Sequence, residues 1–279
     1  MNARRVHAVL AAGVENPTLI SGWRAEPARL IRLGIDPAGF DLDAVWKFSG
    51  LTIKVRHNAV RQLLPGTFRL MTIAGLEIGL FADYAAFRKA SGQPYAATTT
   101  QRTHDLAEFI TGWIDPSVPL HALLGDIVRH EHALVCLNTP PALPEIQNDV
   151  ACEVARVVAL PPSAVPEICG RIAIHEMHCD PLGLAGALRQ AVPPLADIPL
   201  QAGYYCYWRS NQQLEIAVVE IDEFGFYALS LVDGSRSVAD LSQAMGGRRR
   251  PTRRFTRSLA QLEDLGLLTF RRGRRVGVA

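Results

Sequence analysis

The first half of the chain carries apolar residues at helical spacing, separated by short joints that contain glycine, proline or polar residues. Apolar positions that recur every three to four residues form one face of an amphipathic helix. We therefore predict an all-helical bundle over residues 1–138. Pro65-Gly66 should end one of its helices, and Thr67 should cap the next, which runs to Phe87. The threonines Thr98 to Thr100 should cap another, and the last helix should run from Pro119 to Leu137.

Prolines follow this bundle. Three lie between Thr139 and Pro144, and three more lie between residues 161 and 166. Proline at this density continues neither a helix nor a strand ladder. We predict a proline-rich linker over residues 139–166 and a second domain over residues 167–279.

The second domain has a different period. Strand-like runs cover Arg171 to Cys179, Tyr204 to Arg209 and Leu214 to Ile221. Helical patterns begin near Glu223 and Phe255, and between them Ser237 and Asp240 should form a capping box at the start of a short helix. In the third strand alternate residues are large and apolar, so one face should pack against the domain, while the other face carries smaller or polar side chains. The expected fold class is α+β: an all-α bundle, then a small antiparallel sheet with a three-helix, winged-helix-like domain.

Charge is distributed unevenly along the chain. The net charge is +2, but ten arginines and only two carboxylates follow residue 246, which leaves an acidic body. Such a tail indicates an anionic partner or a solvated arginine-rich face. The five cysteines are scattered without a C-x-x-C pair, as is typical of reduced thiols. No apolar run is long enough to span a bilayer, so we expect a cytoplasmic protein without membrane contact.

Two histidine clusters invite comparison with metal sites. In the segment from Arg129 to His132 the two histidines are two residues apart on a helix, so their side chains diverge. From His175 to Asp180 the side chains alternate between the faces of a strand. Neither cluster is a complete ligand shell. We expect hydrogen-bonding histidines, no metal ligand, no cofactor in this chain and no catalytic residue of its own.

The C-terminal segment holds a spaced motif. Leu231, Asp233 to Val238 and Leu241 come first, and Phe255, Leu259, Leu262 and Gly266 to Leu268 follow. Over roughly residues 168–272 the segment resembles the PqqD-like recognition domains of ribosomal peptide natural-product (RiPP) biosynthesis. The resemblance implies that a precursor's leader peptide adds as a strand beside the third strand and is gripped by the third helix.

Strand addition alone would bind weakly. About five ladder bonds contribute roughly 5 kcal/mol, ordering the leader costs about 2–5 kcal/mol, and a micromolar complex needs about 8 kcal/mol. Apolar leader side chains should therefore bury against the third helix, and its arginines should meet acidic leader residues. The expected leader-binding residues are Leu214, Ile216, Val218, Val219, Glu220, Ile221, Arg254, Phe255, Ser258, Leu259 and Leu262.

Winged-helix transcription factors share this order of elements. Arg253, Arg254 and Arg257 fall where a recognition helix begins, and the arginines around Gly273 could form a basic wing. The acidic body opposes duplex binding, so nucleic acid is the less favoured partner. A DNA-binding regulator with a helical effector domain remains the alternative, and a metal enzyme that uses the histidine clusters is a weaker third.

The N-terminal half carries a second resemblance. The segments from Phe48 to Asn58 and from Arg129 to Glu131 look like parts of the partner subunits of multinuclear-iron TIM-barrel peptide oxidases. The methanobactin pathway uses one such pair. The length and layout are closer to the TglI-type subunit of the 3-thiaglutamate pathway, where the pair modifies a precursor's C-terminal cysteine. The resemblance implies a heterodimer in which the partner holds two or three iron ions and this chain binds the precursor.

The same resemblance suggests which side chains dock the oxidase. The candidate partner-interface residues are Lys54, Arg56, His57, Arg129, His130 and Glu131. A buried polar network that joins two helices is the alternative interpretation of the same residues.

Overall fold

The computed structural model describes residues 3–92, 94–140, 160–210, 215–246 and 251–271. Within these ranges the chain is mixed α+β. The helices are α1 Ala3–Glu15, α2 Pro17–Ala25, α3 Ala28–Arg32, α4 Leu42–Arg56, α5 Asn58–Leu63, α6 Pro65–Ile73, α7 Glu77–Ala90, α8 Thr99–Trp113, α9 Pro119–Asn138, α10 Pro181–Leu188, α11 Glu223–Leu231, α12 Val238–Ala244 and α13 Arg253–Asp264. The strands are β1 Val165–Ile168, β2 Arg171–Met177, β3 Gly203–Arg209, β4 Ala217–Ile221 and β5 Leu268–Arg271.

The chain divides into two compact units. The first comprises Met1–His132 and Gly183–Leu195, and the second comprises Ala133–Leu182 and Ala196–Ala279. Helix α9 therefore begins in the first unit, and its last turns belong to the second. Among the described residues no single helix is long and apolar enough to cross a membrane, although α6 and α7, bent by 115° to each other, pass that test as a pair.

Every regular element described between residues 3 and 138 is helical, as the sequence predicts. The expected helix from Thr67 to Phe87 is wrong in one respect, because it is two helices. Gly75 adopts a φ of 69° between α6 and α7, a conformation that glycine reaches without strain. Thr98 does cap α8, since its side chain accepts a hydrogen bond from the Gln101 amide.

Thr67 is not a helix cap. Helix α6 already begins at Pro65, a residue that suits the first position of a helix because it lacks an amide hydrogen. The amides of Gly66 and Thr67 instead donate to the carboxylate of Glu131 on α9, at 2.6 and 2.9 Å. The Thr67 hydroxyl donates to the same carboxylate at 2.7 Å. A side chain more than sixty residues away thus caps this helix.

The second unit contains two antiparallel sheets. Strands β2, β3 and β4 form a meander in that order, and β1 pairs with β5. The three predicted strands are confirmed, although β4 begins at Ala217 and Leu214 lies outside the described residues. The β1–β5 pair is not predicted from the sequence: Val165 and Pro166, assigned there to the linker, pair with Arg271 and Phe270.

Both faces of the three-stranded sheet pack against other elements, which corrects the expectation that only one face packs. On one face Tyr205 and Tyr207 pack with Ala133 and Leu137 at the end of α9. On the other face Cys206 and Ile221 join the core formed with α11, α12 and α13. The side chains of a strand alternate between faces, so β3 contributes to both clusters.

Two arginines of the sheet hold the carboxyl end of α9. Arg171 on β2 donates to the carbonyls of Cys136, Leu137 and Thr139 at 2.7–3.1 Å, and Arg209, its cross-strand neighbour, donates to that of Leu137 at 2.9 Å. The last carbonyls of a helix lack partners within the helix and carry partial negative charge. The two guanidinium groups therefore fix the sheet against the end of α9.

Each of the three C-terminal helices begins at a side-chain cap, of which the one at Ser237 is predicted from the sequence. Ser237 and Asp240 form a reciprocal capping box at the start of α12. Thr252 caps α13, which begins at Arg253, two residues before the sequence-based start at Phe255. The described residues thus establish a small antiparallel sheet backed by helices.

Candidate functional site

Within the part of the chain that the structure describes, β4 is an edge strand of its sheet. Its described neighbour in the sheet is β3, with Tyr204 opposite Ile221 and Trp208 opposite Ala217. Alternate residues of an edge strand direct their backbone N–H and C=O groups away from the sheet. Five residues therefore offer two or three such positions, which is enough for roughly four to six hydrogen bonds to an added strand.

Asp222 joins the end of β4 to two helices. Its Oδ1 accepts a hydrogen bond from the Gly225 amide at 2.7 Å and so caps α11. Its Oδ2 accepts one from the Ser258 hydroxyl on α13. Because one carboxylate serves both helices, α13 is held at a set distance from the edge of β4.

A groove of about 350 Å³ lies where β4 ends beside α13. Its apolar lining comes from Ile221, Leu262 and Leu265, and the Leu265 side chain is 45% exposed. The polar lining comes from Glu220, Asp222, Ser258, Gln261 and Asp264. Four of the predicted leader-binding residues (Glu220, Ile221, Ser258 and Leu262) thus meet around one groove.

Among the described residues the lining carries three carboxylates and no arginine. Burial, and then the neighbouring charge of Asp264, raise the pKa of Glu263 on the same helix. The arginines Arg253, Arg254 and Arg257 lie at the opposite end of α13. Acidic residues near a helix C-terminus and basic residues near its N-terminus oppose the helix dipole. This arrangement therefore costs α13 stability, and a peptide that carries complementary charges would reduce that cost.

Other predicted leader-binding residues lie inside the fold. Phe255 and Leu259 are buried in the core, and Val219 packs against it. Ile216 and Val218 pack on the opposite face, towards the end of α9. Ile216, Val218 and Val219 are partly buried, whereas Phe255 and Leu259 are fully covered, so the expectation that a leader buries against Phe255 and Leu259 is not supported by their positions. The Arg254 guanidinium lies 5.0 Å from the centroid of the Phe224 ring.

The predicted partner-interface residues divide by exposure. Lys54 and Arg56, on the last turn of α4, are exposed. His57 is buried and stacks on Phe81 with ring centroids 4.4 Å apart. Burial, and then the charge of Arg56, lower the pKa of His57 to about 4. A docking role for Lys54 and Arg56 stays a prediction.

The segment on α9 fits the alternative of a buried polar network. Arg129 forms an ion pair with Asp126 at 3.3 Å, and His130 and Glu131 are buried. Burial raises the pKa of Glu131, although the hydrogen bonds from Thr67 and Gly66 act in the opposite direction. Glu131 therefore joins α9 to α6 within the first unit.

Sequence reasoning missed several residues that line or shape the groove. Gln261, Asp264 and Leu265 are exposed positions at the C-terminal end of α13 that the spaced C-terminal motif does not include. Asp222 carries a local signal, because an aspartate directly before an apolar helical run is a typical N-cap. Its second bond, to Ser258, joins positions 36 residues apart, and no local pattern indicates it.

A comparison with protein-family models finds no match, and a search of curated proteins finds no significant match.

Proposed function

We propose that this chain binds an extended peptide by strand addition along β4, with the peptide's side chains entering the groove beside α13. The observation that carries the proposal is the outer edge of β4, which pairs with no strand among the described residues and lies directly next to that groove. Main-chain hydrogen bonds supply sequence-independent affinity in this mode, and pockets for alternate side chains supply specificity.

The groove has to contribute affinity of its own. Ladder bonds of about 1 kcal/mol each barely exceed the cost of ordering a flexible peptide. An apolar side chain buried against Ile221, Leu262 and Leu265 would add about 1.5–3 kcal/mol. A basic side chain among Glu220, Asp222 and Asp264 would add a charge-assisted hydrogen bond. The preferred peptide therefore presents an apolar residue and a lysine or arginine to the groove.

The peptide should carry acidic residues as well. Helix α13 has twelve residues and spans about 18 Å, so its basic and acidic ends are well separated. An extended peptide covers that distance in about five residues. A basic residue at the groove and an acidic residue about five positions away would match both ends of α13.

Within this proposal the chain is a non-catalytic, precursor-binding subunit of an iron-dependent complex that modifies a ribosomally made peptide. The motifs around Asp233 to Val238 and around Phe255 to Leu268, which resemble RiPP recognition elements, support that setting. The winged-helix layout, the iron in a TIM-barrel partner and the modified cysteine belong to the same proposal.

Fluorescence polarisation with a labelled precursor leader tests the binding mode. N-methylation of single peptide amides removes ladder donors without changing the protein. We expect affinity to fall at every second peptide position and to hold at the positions between, because only alternate amides face β4. Uniform loss, or no loss, would contradict strand addition.

Variants of the protein test the groove. Leu265→Asp should weaken peptide binding at least tenfold, because it replaces the exposed apolar wall with a charge. Leu200→Asp is the matched control, since Leu200 is 50% exposed and does not line the groove. Equal effects of the two substitutions would remove the groove from the proposal.

DNA binding is the competing function, and one observation favours it. Arg253 and Arg257 are exposed on the first turns of α13. Arg271 is the described arginine of the predicted wing. Its Nε lies 3.3 Å from Glu167 Oε1, and its guanidinium donates to the Gly234 carbonyl. Salt-dependent retention of duplex DNA that is lost in Arg253→Glu and Arg257→Glu, together with no peptide binding, would replace the peptide proposal with this one.

A further inference from the structure

Two histidines of the first unit face each other from neighbouring elements. His104 lies on α8 and His132 on α9, and His104 Nδ1 is 3.0 Å from His132 Nε2. The two rings are tilted by 34°, with centroids 5.1 Å apart. Two donor atoms bound about 2.1 Å from one metal ion lie about 3.0–3.4 Å apart, depending on the coordination angle. The pair therefore has the separation of two ligands of a single ion as well as that of a hydrogen bond.

Further donors follow each histidine by one helical turn. Cys136 comes four residues after His132, and α9 is continuous from Pro119 to Asn138. Side chains four residues apart project from the same face of a helix, so the position of Cys136 relative to His132 is set by α9 alone. Glu108 comes four residues after His104 on α8, and its charge acts on His132.

The three candidate donors lie close together, because the ligand atoms of His104, His132 and Cys136 are all within 4.8 Å of one another. Metal ions bind the neutral imidazole of histidine and the thiolate of cysteine, so an ion would displace the thiol proton. Metal binding would therefore release one proton from Cys136 to the solvent.

We propose that His104, His132 and the Cys136 thiolate bind a divalent transition-metal ion of the zinc class. Two imidazoles and one thiolate are a borderline-soft donor set that selects such ions over magnesium or calcium. Three protein donors leave a fourth position of a tetrahedral ion for water or for the Glu108 carboxylate. This proposal is independent of peptide binding on β4.

Zinc titration of the chelator-treated, tag-free chain tests the site, with a chromophoric zinc chelator as the competitor. We expect one tight equivalent in the unmodified chain. His104→Ala should weaken it by more than the roughly 10–100-fold that loss of an outer-shell partner costs. His104 is exposed, so this variant should fold, which far-ultraviolet circular dichroism checks. His7→Ala is the matched control at an exposed histidine. Equal zinc affinity in the unmodified chain and in His104→Ala would overturn the proposal.

Cobalt(II) provides a readout that a purely structural histidine pair would not give. A cobalt–thiolate charge-transfer band should appear in the unmodified chain and in His7→Ala, and it should be missing in Cys136→Ser. A band that persists in Cys136→Ser would overturn the assignment of this thiolate. Absence of any band in the unmodified chain would overturn the site.

Discussion

Glu131 offers the sharpest test of the first unit, because its one carboxylate accepts three hydrogen bonds at the start of α6. It accepts from the amides of Gly66 and Thr67 and from the Thr67 hydroxyl, at 2.6–2.9 Å. The Glu131 residue is only 8% exposed, so water cannot readily replace it. Glu131→Ala would leave two amides at the helix start without their acceptor.

The expected loss follows from those two amides. Each donor left without a partner in a buried site costs about 1–3 kcal/mol. Removing the carboxylate also relieves its own desolvation, which the raised pKa of Glu131 reveals. We therefore expect Glu131→Ala to lower the free energy of unfolding by about 2–4 kcal/mol. Glu131→Gln should lower the free energy of unfolding by about half as much. Its side-chain amide keeps one acceptor oxygen, but its NH₂ group faces the second backbone donor and cannot accept a hydrogen bond from it.

Urea unfolding, followed by circular dichroism, measures these differences. Hydrogen exchange of the Gly66 and Thr67 amides should accelerate in Glu131→Ala, which places the change at α6. Glu15→Ala, at an exposed glutamate on α1, is the control and should change stability by less than about 0.5 kcal/mol. A Glu131→Ala chain as stable as this control would refute the role of Glu131 as the cap of α6.

Three further outcomes follow from the same reasoning. The pKa of His57 falls from 6.5 to about 4 on folding, so the free energy of unfolding should drop by up to about 3 kcal/mol as the pH falls from 6.5 to 4. Urea melts at several pH values measure this dependence, and His57→Phe should remove it. Arg171→Ala should lower the free energy of unfolding by about 2 kcal/mol, because it removes three hydrogen bonds to carbonyls at and just after the end of α9. A loss no larger than that of Arg257→Ala, at an exposed arginine on α13, would contradict this. Burial raises the pKa of Cys206 to about 12, so mass spectrometry should find this thiol unalkylated in the native chain at pH 8 and alkylated in urea; native labelling would contradict its burial.

Local signals predicted those parts of the fold that nearby residues determine. The capping box of Ser237 and Asp240, the cap at Thr98 and the long helix α9 all rest on residues within one or two turns. The break at Gly75 has a local signal too, but the apolar pattern on both sides of it continues and conceals the turn.

Long-range pairings could not be predicted in the same way. Thr67 looks like a cap in the sequence, yet Glu131 performs that function from another helix. Strand β1 pairs with β5 across about one hundred residues, and proline in β1 argues against a strand in any local reading. A periodic pattern shows which face of an element is buried, but it does not show against what.

The candidate site, like the fold, could be predicted from the sequence only in part. The sequence directs attention to β4 and α13, and Glu220, Ile221, Ser258 and Leu262 do line the groove between them. It does not separate residues that line a groove from residues of the core, because an amphipathic helix uses one apolar stripe for both. Phe255 and Leu259 follow the motif as closely as Leu262, and only the packing places them out of reach.

The outer edge of β4, which no described strand covers, also has a consequence for solubility. Any extended segment can pair with an exposed strand, including the same strand of a second copy of the chain. The short length of β4 and the exposed Glu220 carboxylate near its end limit such self-pairing. A peptide added along β4 would cover the remaining backbone groups. The peptide-bound chain should therefore remain dispersed at concentrations where the chain alone begins to aggregate, which static light scattering would measure.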